Sequence, residues 1–349
     1  EDNVVIDTLG EMVATNPCGE QPLLGNESCN LGSINLAKFY RGIEGNWEDK
    51  IDWDKLKRVT ISSTHFLDNV IDANKYATTD IEEMTKSTRK IGLGVMGFAD
   101  LLIQLRIPYN TELAREVGES LMKFIRETSD MYSKHLANIR GVYPAGEGND
   151  EYRNACRMTV APTGTISMIA GCSSGIEPSF ALVWKKANIL EGKTLYYSNK
   201  YFEEDAKEHG FYSEDLMEYL SNGGSLQDRE EIPQWVKDVY ITSPEISPEA
   251  HVLMQSAFQK SVDSGISKTI NFPNEATRED VQEAYLLAWE TGCKGITVYR
   301  AGSREKEVLV KGTDKKEEEV SACCDSPNVV EESGCETCKS CGWSLCHVA

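Results

Sequence analysis

A membrane-spanning helix needs roughly 18 to 20 consecutive apolar residues, and no run of that length occurs in this sequence of 349 residues. The opening Glu-Asp-Asn-Val-Val-Ile-Asp has neither the basic nor the apolar region of a signal peptide, so a cytoplasmic protein is expected. Positive charge is also short: 36 Lys and Arg face 56 Asp and Glu, for a formal net charge of −20. Nucleic-acid binders present a basic face, so phosphate-backbone binding is excluded as a main task and any phosphate must be held locally. A disulfide scaffold is missing too, although there are 11 cysteines. Cys18, Cys29, Cys156, Cys172 and Cys293 are scattered, while six thiols crowd the last 27 residues, a pattern that suggests metal or redox chemistry. Cys156 and Cys293 sit beside apolar runs and read as small buried residues. What is present in quantity is hydrophobic composition, 40%, enough for a sizeable core and for two or more ordinary domains.

Residues 15 to 36, Thr-Asn-Pro-Cys-Gly-Glu-Gln-Pro-Leu-Leu-Gly-Asn-Glu-Ser-Cys-Asn-Leu-Gly-Ser-Ile-Asn-Leu, are too rich in Gly, Pro, Asn and Ser for a helix. Asn16, Cys18 and Glu20 alternate at a spacing of two, so an extended segment would send all three side chains to one side. A thiol supplies a nucleophile or a hydrogen atom, a carboxylate general base or acid work, and an amide orients a hydroxyl without titrating. Loops on a rigid scaffold are where such groups usually sit.

Asn-Pro-Cys-Gly-Glu-Gln-Pro-Leu followed by Cys-Asn-Leu-Gly-Ser-Ile-Asn-Leu closely resembles the finger loop of the ribonucleotide reductase catalytic subunit. The resemblance implies that Cys18 is the thiyl radical site, Glu20 the base on the substrate 3'-hydroxyl and Asn16 a hydrogen-bonding partner of the substrate, with Pro17 and Gly19 beside them in the substrate site. Cys29 would be one of two cysteines that reduce the 2'-carbon. Its distance of eleven residues from Cys18 is similar to the adenosylcobalamin-dependent class. The implied fold is α/β: the second half of a ten-stranded barrel with the finger loop through its centre. Cys18 lies so near the start that the chain reads as a fragment. An N-terminal half would then supply allosteric sites, half of the barrel and the partner of Cys29, and the complete protein is expected to be a homodimer.

Further along, Leu56, Val59, Phe66, Leu67, Val70 and Ile71 recur at helical spacings and predict an amphipathic helix over 51–76, with His65 in a structural role. Asp80 is the expected cap of a second helix running to Leu105, with Gly92, Gly94 and Gly97 inside it for close helix packing. A nucleotide loop is disfavoured there because no strand precedes the glycines. A third helix is expected from Thr111 to Ile139.

Met158 to Ala161 reads as a short buried strand, Pro162 to Thr165 as a turn and Ile166 to Ala170 as a helix start. Free N–H groups at such a helix start favour an anion without any lysine. The segment also resembles the reductase substrate-phosphate loop, which assigns Pro162, Thr163, Gly164, Thr165, Ile166 and Ser167 to substrate binding. Cys172 and Glu177 just beyond read as structural. Ser247-Pro248 opens another helix, and Lys268 to Pro273, a helix capped by Thr277 and Asp280, and Gly295 to Arg300 form a βαβ unit with parallel strands. Diiron-dependent relatives carry two adjacent tyrosines in the last strand as a radical relay; here the pair is Val298-Tyr299, which again resembles the cobalamin class.

From Ser303 to Val320 eleven of eighteen residues are charged, which predicts a solvated linker. Two uses compete for the thiols beyond it. Cys323, Cys324, Cys335 and Cys338 could complete a four-thiolate zinc site. Cys341 and Cys346 resemble the C-terminal dithiol that re-reduces the reductase active site and is itself reset by thioredoxin or glutaredoxin. The expected organisation is a barrel half over 1–302, a linker over 303–320 and a Cys-rich tail over 321–349. The expected activity is reduction of ribonucleotides, as diphosphates, to 2'-deoxyribonucleotides. Its rivals are a large subunit served by a separate metal-radical protein and an inactive zinc-binding or regulatory fragment.

Overall fold

Gly-Ser-Ile-Asn and Gly-Leu-Gly-Val-Met, separated by some sixty residues, lie side by side as the first two of a series of parallel strands. The computed structural model describes residues 9–146, 148, 151–189, 193–303, 329–332, 335–338, 340 and 344–346, without the side chains of 185–196 and of the segments beyond 303 other than 340. Strands β1 (Ala14–Thr15) and β2 (Pro22–Leu23) pair antiparallel as the arms of a hairpin. Strand β3 (Asn30–Asn35) follows, then α1 (Trp53–Ala73), whose cap Asp52 accepts a hydrogen bond from Lys55 N. Leu56, Leu67 and Ile71 are buried as the helical spacing predicts, whereas Phe66 is 65% exposed. His65 is held by the Tyr132 hydroxyl and by Arg140, a structural role as expected.

The stretch expected as one long helix is three elements. Thr78, not Asp80, caps α2 (Thr79–Thr88), which ends at Arg89 in the left-handed region; strand β4 (Ile91–Met96) and helix α3 (Phe98–Leu105) follow. Gly92 and Gly94 therefore serve strand contacts and not helix packing. A Cβ on Gly94 would overlap the carbonyl oxygen of Thr159, and one on Gly92 would meet Leu31 and Thr159 side-chain carbons at 2.6 and 2.7 Å. Only glycine lets the neighbouring backbone come this close.

Helix α4 (Glu112–Arg140) begins at Thr111 as predicted, and α5 (Gly164–Ala170) is a short helix. Strands β5 (Val183–Ile189) and β6 (Lys193–Ser198) pair antiparallel, and α6 (Lys200–Glu208), α7 (Glu214–Ser221) and α8 (Gln234–Val239) gather around Phe202, Leu216 and Tyr240 as a second apolar cluster. Ser247 caps α9 (Pro248–Gln259). Strand β7 (Thr269–Phe272), helix α10 (Arg278–Glu290) with a Thr277–Asp280 capping box, and strand β8 (Thr297–Arg300) complete the expected βαβ unit. Its strands are parallel, with Thr269 opposite Thr297. Strands β9 (Val329–Glu332), β10 (Cys335–Cys338) and β11 (Ser344–Cys346) form an antiparallel set in which Cys335 and Cys346 are register partners. Residues 304–320 of the predicted linker lie outside the described residues.

The parallel series is longer than the strand pairs alone suggest. Strand β3 pairs with β4 from Asn30 opposite Ile91 to Asn35 opposite Met96. Strand β4 meets the next segment through Ile91 N to Cys156 O at 3.0 Å, Leu93 N to Arg157 O at 2.8 Å and Thr159 N to Leu93 O at 3.1 Å. That segment in turn meets 264–267 through Ser264 N to Met158 O at 3.1 Å and Ser267 N to Val160 O at 2.8 Å. The expected strand over 158–161 is thus present as two parallel bridges, at Met158 and Val160. Segment 264–267 runs on into β7, beside β8. Five parallel segments result, and among the described residues they form an open run, not a closed barrel. Ile91, Leu93, Val95, Met158, Val160 and Ile266 line the main core, which α1, α4 and α9 cover. Cys156 is buried as expected; Cys293 is only partly so.

Candidate functional site

Asn16 to Glu20 does not run extended. Gly19 N donates to Asn16 O at 3.1 Å and Gln21 N to Asn16 Oδ1 at 3.0 Å, closing a tight turn at the hairpin tip with Gly19 at φ +79°. Pro17 and Gly19 favour a turn over a strand, and the Asn16 side chain closes it by accepting from the backbone five residues on. The consequence is a division of surroundings that the spacing of two did not predict. Cys18 is exposed at the tip, Asn16 half-buried, and Glu20 1% exposed.

Glu20 is carried inward because its backbone is fastened to the parallel run. Its carbonyl oxygen accepts from Gly265 N at 2.7 Å and from Thr159 Oγ1 at 3.0 Å. Gln21 continues the attachment through Ser264 Oγ at 3.4 Å. Yet the business ends of these residues are open: Glu20 Oε2 and Gln21 Nε2 are buried without a hydrogen-bond partner. A buried carboxylate oxygen left so costs free energy unless something else meets it, so a vacant acceptor lies just inside an exposed thiol.

Cys29 stands at the start of β3, its Sγ donating to Asn30 O at 3.3 Å. Burial, with Cys156 nearby, pushes its thiol well above the ordinary range, against the pull of Lys90. Its proton is held in this way, so the group is an S–H and not a thiolate at neutral pH. A pair not legible in the sequence lies beside it: Lys90 Nζ to Glu27 Oε2 at 2.7 Å, both side chains buried. Glu27 Oε2 also accepts Leu24 N at 2.9 Å, while Glu27 Oε1 has no partner.

The Pro162–Ser167 segment leaves the same run directly after Val160 and Ala161. Thr163 lies in the left-handed region at φ +53° and caps α5 without a side-chain bond to the helix. For a β-branched residue this is a strained conformation. Gly164, Thr165 and Ile166 are exposed, and Ser167 is buried with its Oγ on Ser174 Oγ at 2.8 Å. The first helical N–H groups have no partner within a helix, so the segment offers exposed donors and no positive side chain. The hairpin and this segment are brought together through Thr159, which binds Glu20 and lies three residues before Pro162.

Of the remaining expected site residues, Cys323, Cys324 and Cys341 lie outside the described residues, as do the side chains of Cys335, Cys338 and Cys346. Among the described residues Asp205, Glu208 and His209 are grouped closely enough to share a cation. The Asp205 carboxylate is already taken by Arg106 and the Tyr240 hydroxyl, which makes it an ion-pair hub. Tyr299 sits on β8 opposite Asn271.

The family profile "Ribonucleotide reductase, barrel domain" matches residues 1–151 and 147–299. A vitamin B12-dependent ribonucleoside-diphosphate reductase of Thermoplasma acidophilum is 50% identical over 322 residues, covering 90% of this chain and 41% of the relative. One of Mycobacterium tuberculosis is 43% identical over 311 residues, covering 88% and 44%. The chain thus spans less than half the length of these relatives. Among solved structures, the alpha subunit of the class Id ribonucleotide reductase of Actinobacillus ureae superposes with a TM-score of 0.71 at 27% identity, covering 83% of this chain and 53% of that one.

Proposed function

The chain belongs to the ribonucleotide reductase barrel-domain family, and on that premise we propose that it carries the radical and acid–base groups of an adenosylcobalamin-dependent ribonucleoside-diphosphate reductase. The observation that carries the reading is the hairpin, where the exposed Cys18 stands two residues from a buried Glu20 whose Oε2 has no partner. A substrate 3'-hydroxyl is a donor of the kind that this oxygen lacks. The five parallel segments are read as one half of the ten-stranded barrel, with the hairpin as its finger loop. The part of the relatives' length that this chain does not span is read as the other half.

Cys18 suits the cofactor because its thiol is exposed at a turn tip. Adenosylcobalamin, when bound, supplies the one-electron oxidising equivalent. As a thiyl, Cys18 takes the hydrogen atom from the 3'-carbon while Glu20 accepts the 3'-hydroxyl proton. The 2'-hydroxyl then leaves as water, and Cys29 with a second thiol supplies two electrons and two protons, becoming a disulfide. Cys18 finally returns its hydrogen atom to the 3'-carbon, so each turnover consumes one dithiol and releases one water. The high thiol pKa of Cys29 suits this role, since it keeps the proton that must be delivered. Asn16 orients the substrate, and Pro162 to Ser167 hold its diphosphate through backbone donors. Cys341 and Cys346 are assigned to resetting the disulfide, with thioredoxin or glutaredoxin as the final reductant. Zinc at Cys323, Cys324, Cys335 and Cys338 is the competing use of the tail. A cytoplasmic homodimer is the expected assembly.

The identities favour the cobalamin class, since the two relatives named vitamin B12-dependent are 50% and 43% identical and the class Id structure 27%. The deciding assay combines this chain with the segment that its relatives carry in addition, and follows deoxyribonucleotide formation with and without adenosylcobalamin. Turnover with the cofactor alone is expected; a requirement for a separate metal-radical subunit would overturn the class. Cys18→Ser is expected to abolish product while leaving the fold intact, and retained turnover would overturn the thiyl assignment.

A further inference from the structure

Joined to the Pro162–Ser167 segment is a charged cluster around the buried Lys268 and His251 that the chemistry above does not use. The Lys268 side chain has no exposure, yet its ammonium is fully partnered. Nζ donates to Glu177 Oε2 at 2.7 Å, to His251 Nδ1 at 2.9 Å and to Thr269 O at 3.1 Å, three donors for three acceptors. Because Nδ1 accepts, the His251 proton sits on Nε2, which donates to Ser243 O at 3.2 Å. The second Glu177 oxygen accepts Thr269 N at 2.6 Å. Three elements converge on one ammonium: the loop after α5, helix α9 and strand β7.

The cluster joins the two halves of the candidate site. Glu177 ends a loop that clasps the Pro162–Ser167 segment. Gly175 N donates to Thr163 Oγ1 at 2.7 Å, Cys172 N to Ser167 O at 3.0 Å, and Ser174 Oγ meets Ser167 Oγ at 2.8 Å. Lys268, for its part, continues directly from Ser264 and Gly265, which hold Glu20 and Gln21. The clasped segment contains Thr163 at φ +53°. A residue in such a conformation keeps it only where its surroundings over-determine it.

We infer that Lys268, Glu177 and His251 form a positioning triad that holds the Pro162–Ser167 segment in its strained form and in fixed register with the Glu20 hairpin. None of the three touches the reacting atoms; they act through the 171–177 loop. An apolar filling of the same space would serve stability equally well, but it would not fix direction. Three acceptors at set distances from one ammonium allow one placement of the loop. That the held segment binds a substrate diphosphate rests on the reading above; the clasp and its anchor do not.

Hydrogen exchange followed by mass spectrometry on this chain tests the triad. Glu177→Gln keeps the volume and removes the charge, and Lys268→Met removes the hub. In both, the bonded amides of Ser167, Cys172 and Gly175 are expected to exchange at least ten-fold faster, while those of β4 and the middle of α4 keep wild-type rates. Unchanged loop protection in a folded variant, or a uniform loss across the chain, would overturn the inference. If Lys268→Met fails to fold, Glu177→Gln decides alone. In the reconstituted reductase, Glu177→Gln is expected to raise KM for the ribonucleoside diphosphate about ten-fold with kcat within about two-fold; equal losses in both would count against positioning. Absence of wild-type turnover would strike the functional reading alone, since exchange reads the triad without substrate.

Discussion

Cys18 and Glu20 are two residues apart and live in different solvents. Exposure leaves Cys18 open to reagents, whereas burial holds the Cys29 thiol well above its ordinary value and pushes Cys156 up to about 11. Since only the thiolate alkylates, iodoacetamide at pH 8 is expected to label Cys18 at least ten-fold faster than Cys29 or Cys156 in the folded chain, read by peptide mass spectrometry. His251 carries a second prediction. Burial, with the Lys268 charge beside it, drives its pKa from 6.5 down to about 3. Between those values the unfolded chain binds a proton that the folded chain refuses, so stability rises with pH across this window and is lost as pH falls through it. The imidazole faces Lys268, with Glu177 across the ammonium. The loss is on the order of a few kcal/mol. His251→Gln, which can still accept from Lys268, is expected to flatten the acid limb between pH 6.5 and about 4, measured by urea unfolding. At this scale the sequence singled out Cys18, Glu20 and Asn16 as candidates because they sit within five residues of one another. Lys90 with Glu27, and Lys268 with Glu177 and His251, are partners 63, 91 and 17 residues apart, and no local pattern marks such pairs.

Elements with local signals were legible from the same reading. Ser247-Pro248, Thr111 and Thr277 with Asp280 begin their helices where their capping chemistry places them. The failure came at Ile91–Met96, where an all-buried strand with two glycines looks like a weak helix interior. What decides it is tertiary: Gly92 and Gly94 face the 156–160 segment, which the window around them does not contain. The extended reading of Asn16 to Glu20 failed for a related reason, since alternation alone does not distinguish a strand from a hairpin tip closed by an Asn side chain. Gly94→Ala is expected to cost about 3 kcal/mol or more, or to prevent folding, because a Cβ there displaces the Thr159 backbone. Gly141→Ala, at φ +84° with nothing within 4 Å, bears backbone strain alone and is expected to cost about 1–3 kcal/mol. Chemical denaturation of the two side by side separates the effects.

For the molecule as a whole, the βαβ unit and the α/β class were readable, while the order of the five parallel segments was not. That order is set by strand bonds such as Leu93 N to Arg157 O and Ser267 N to Val160 O. The hairpin is fastened to the run by two further bonds, Thr159 to Glu20 and Ser264 to Gln21, 139 and 243 residues apart. The second of these governs how the protein comes into being. Closing a loop of 243 residues costs about 5 kcal/mol of chain entropy, repaid only when the parallel run beneath it exists. At ordinary rates of synthesis the hairpin leaves the ribosome roughly 10 to 50 s before its anchor is made. Through that interval the Cys29 thiol, which burial protects in the finished chain, belongs to an unfinished one and is open to any oxidant. A pulse of thiol-labelling reagent during translation should therefore reach Cys29 in nascent chains that have cleared the ribosome but stop short of Ser264, and spare it in the finished chain.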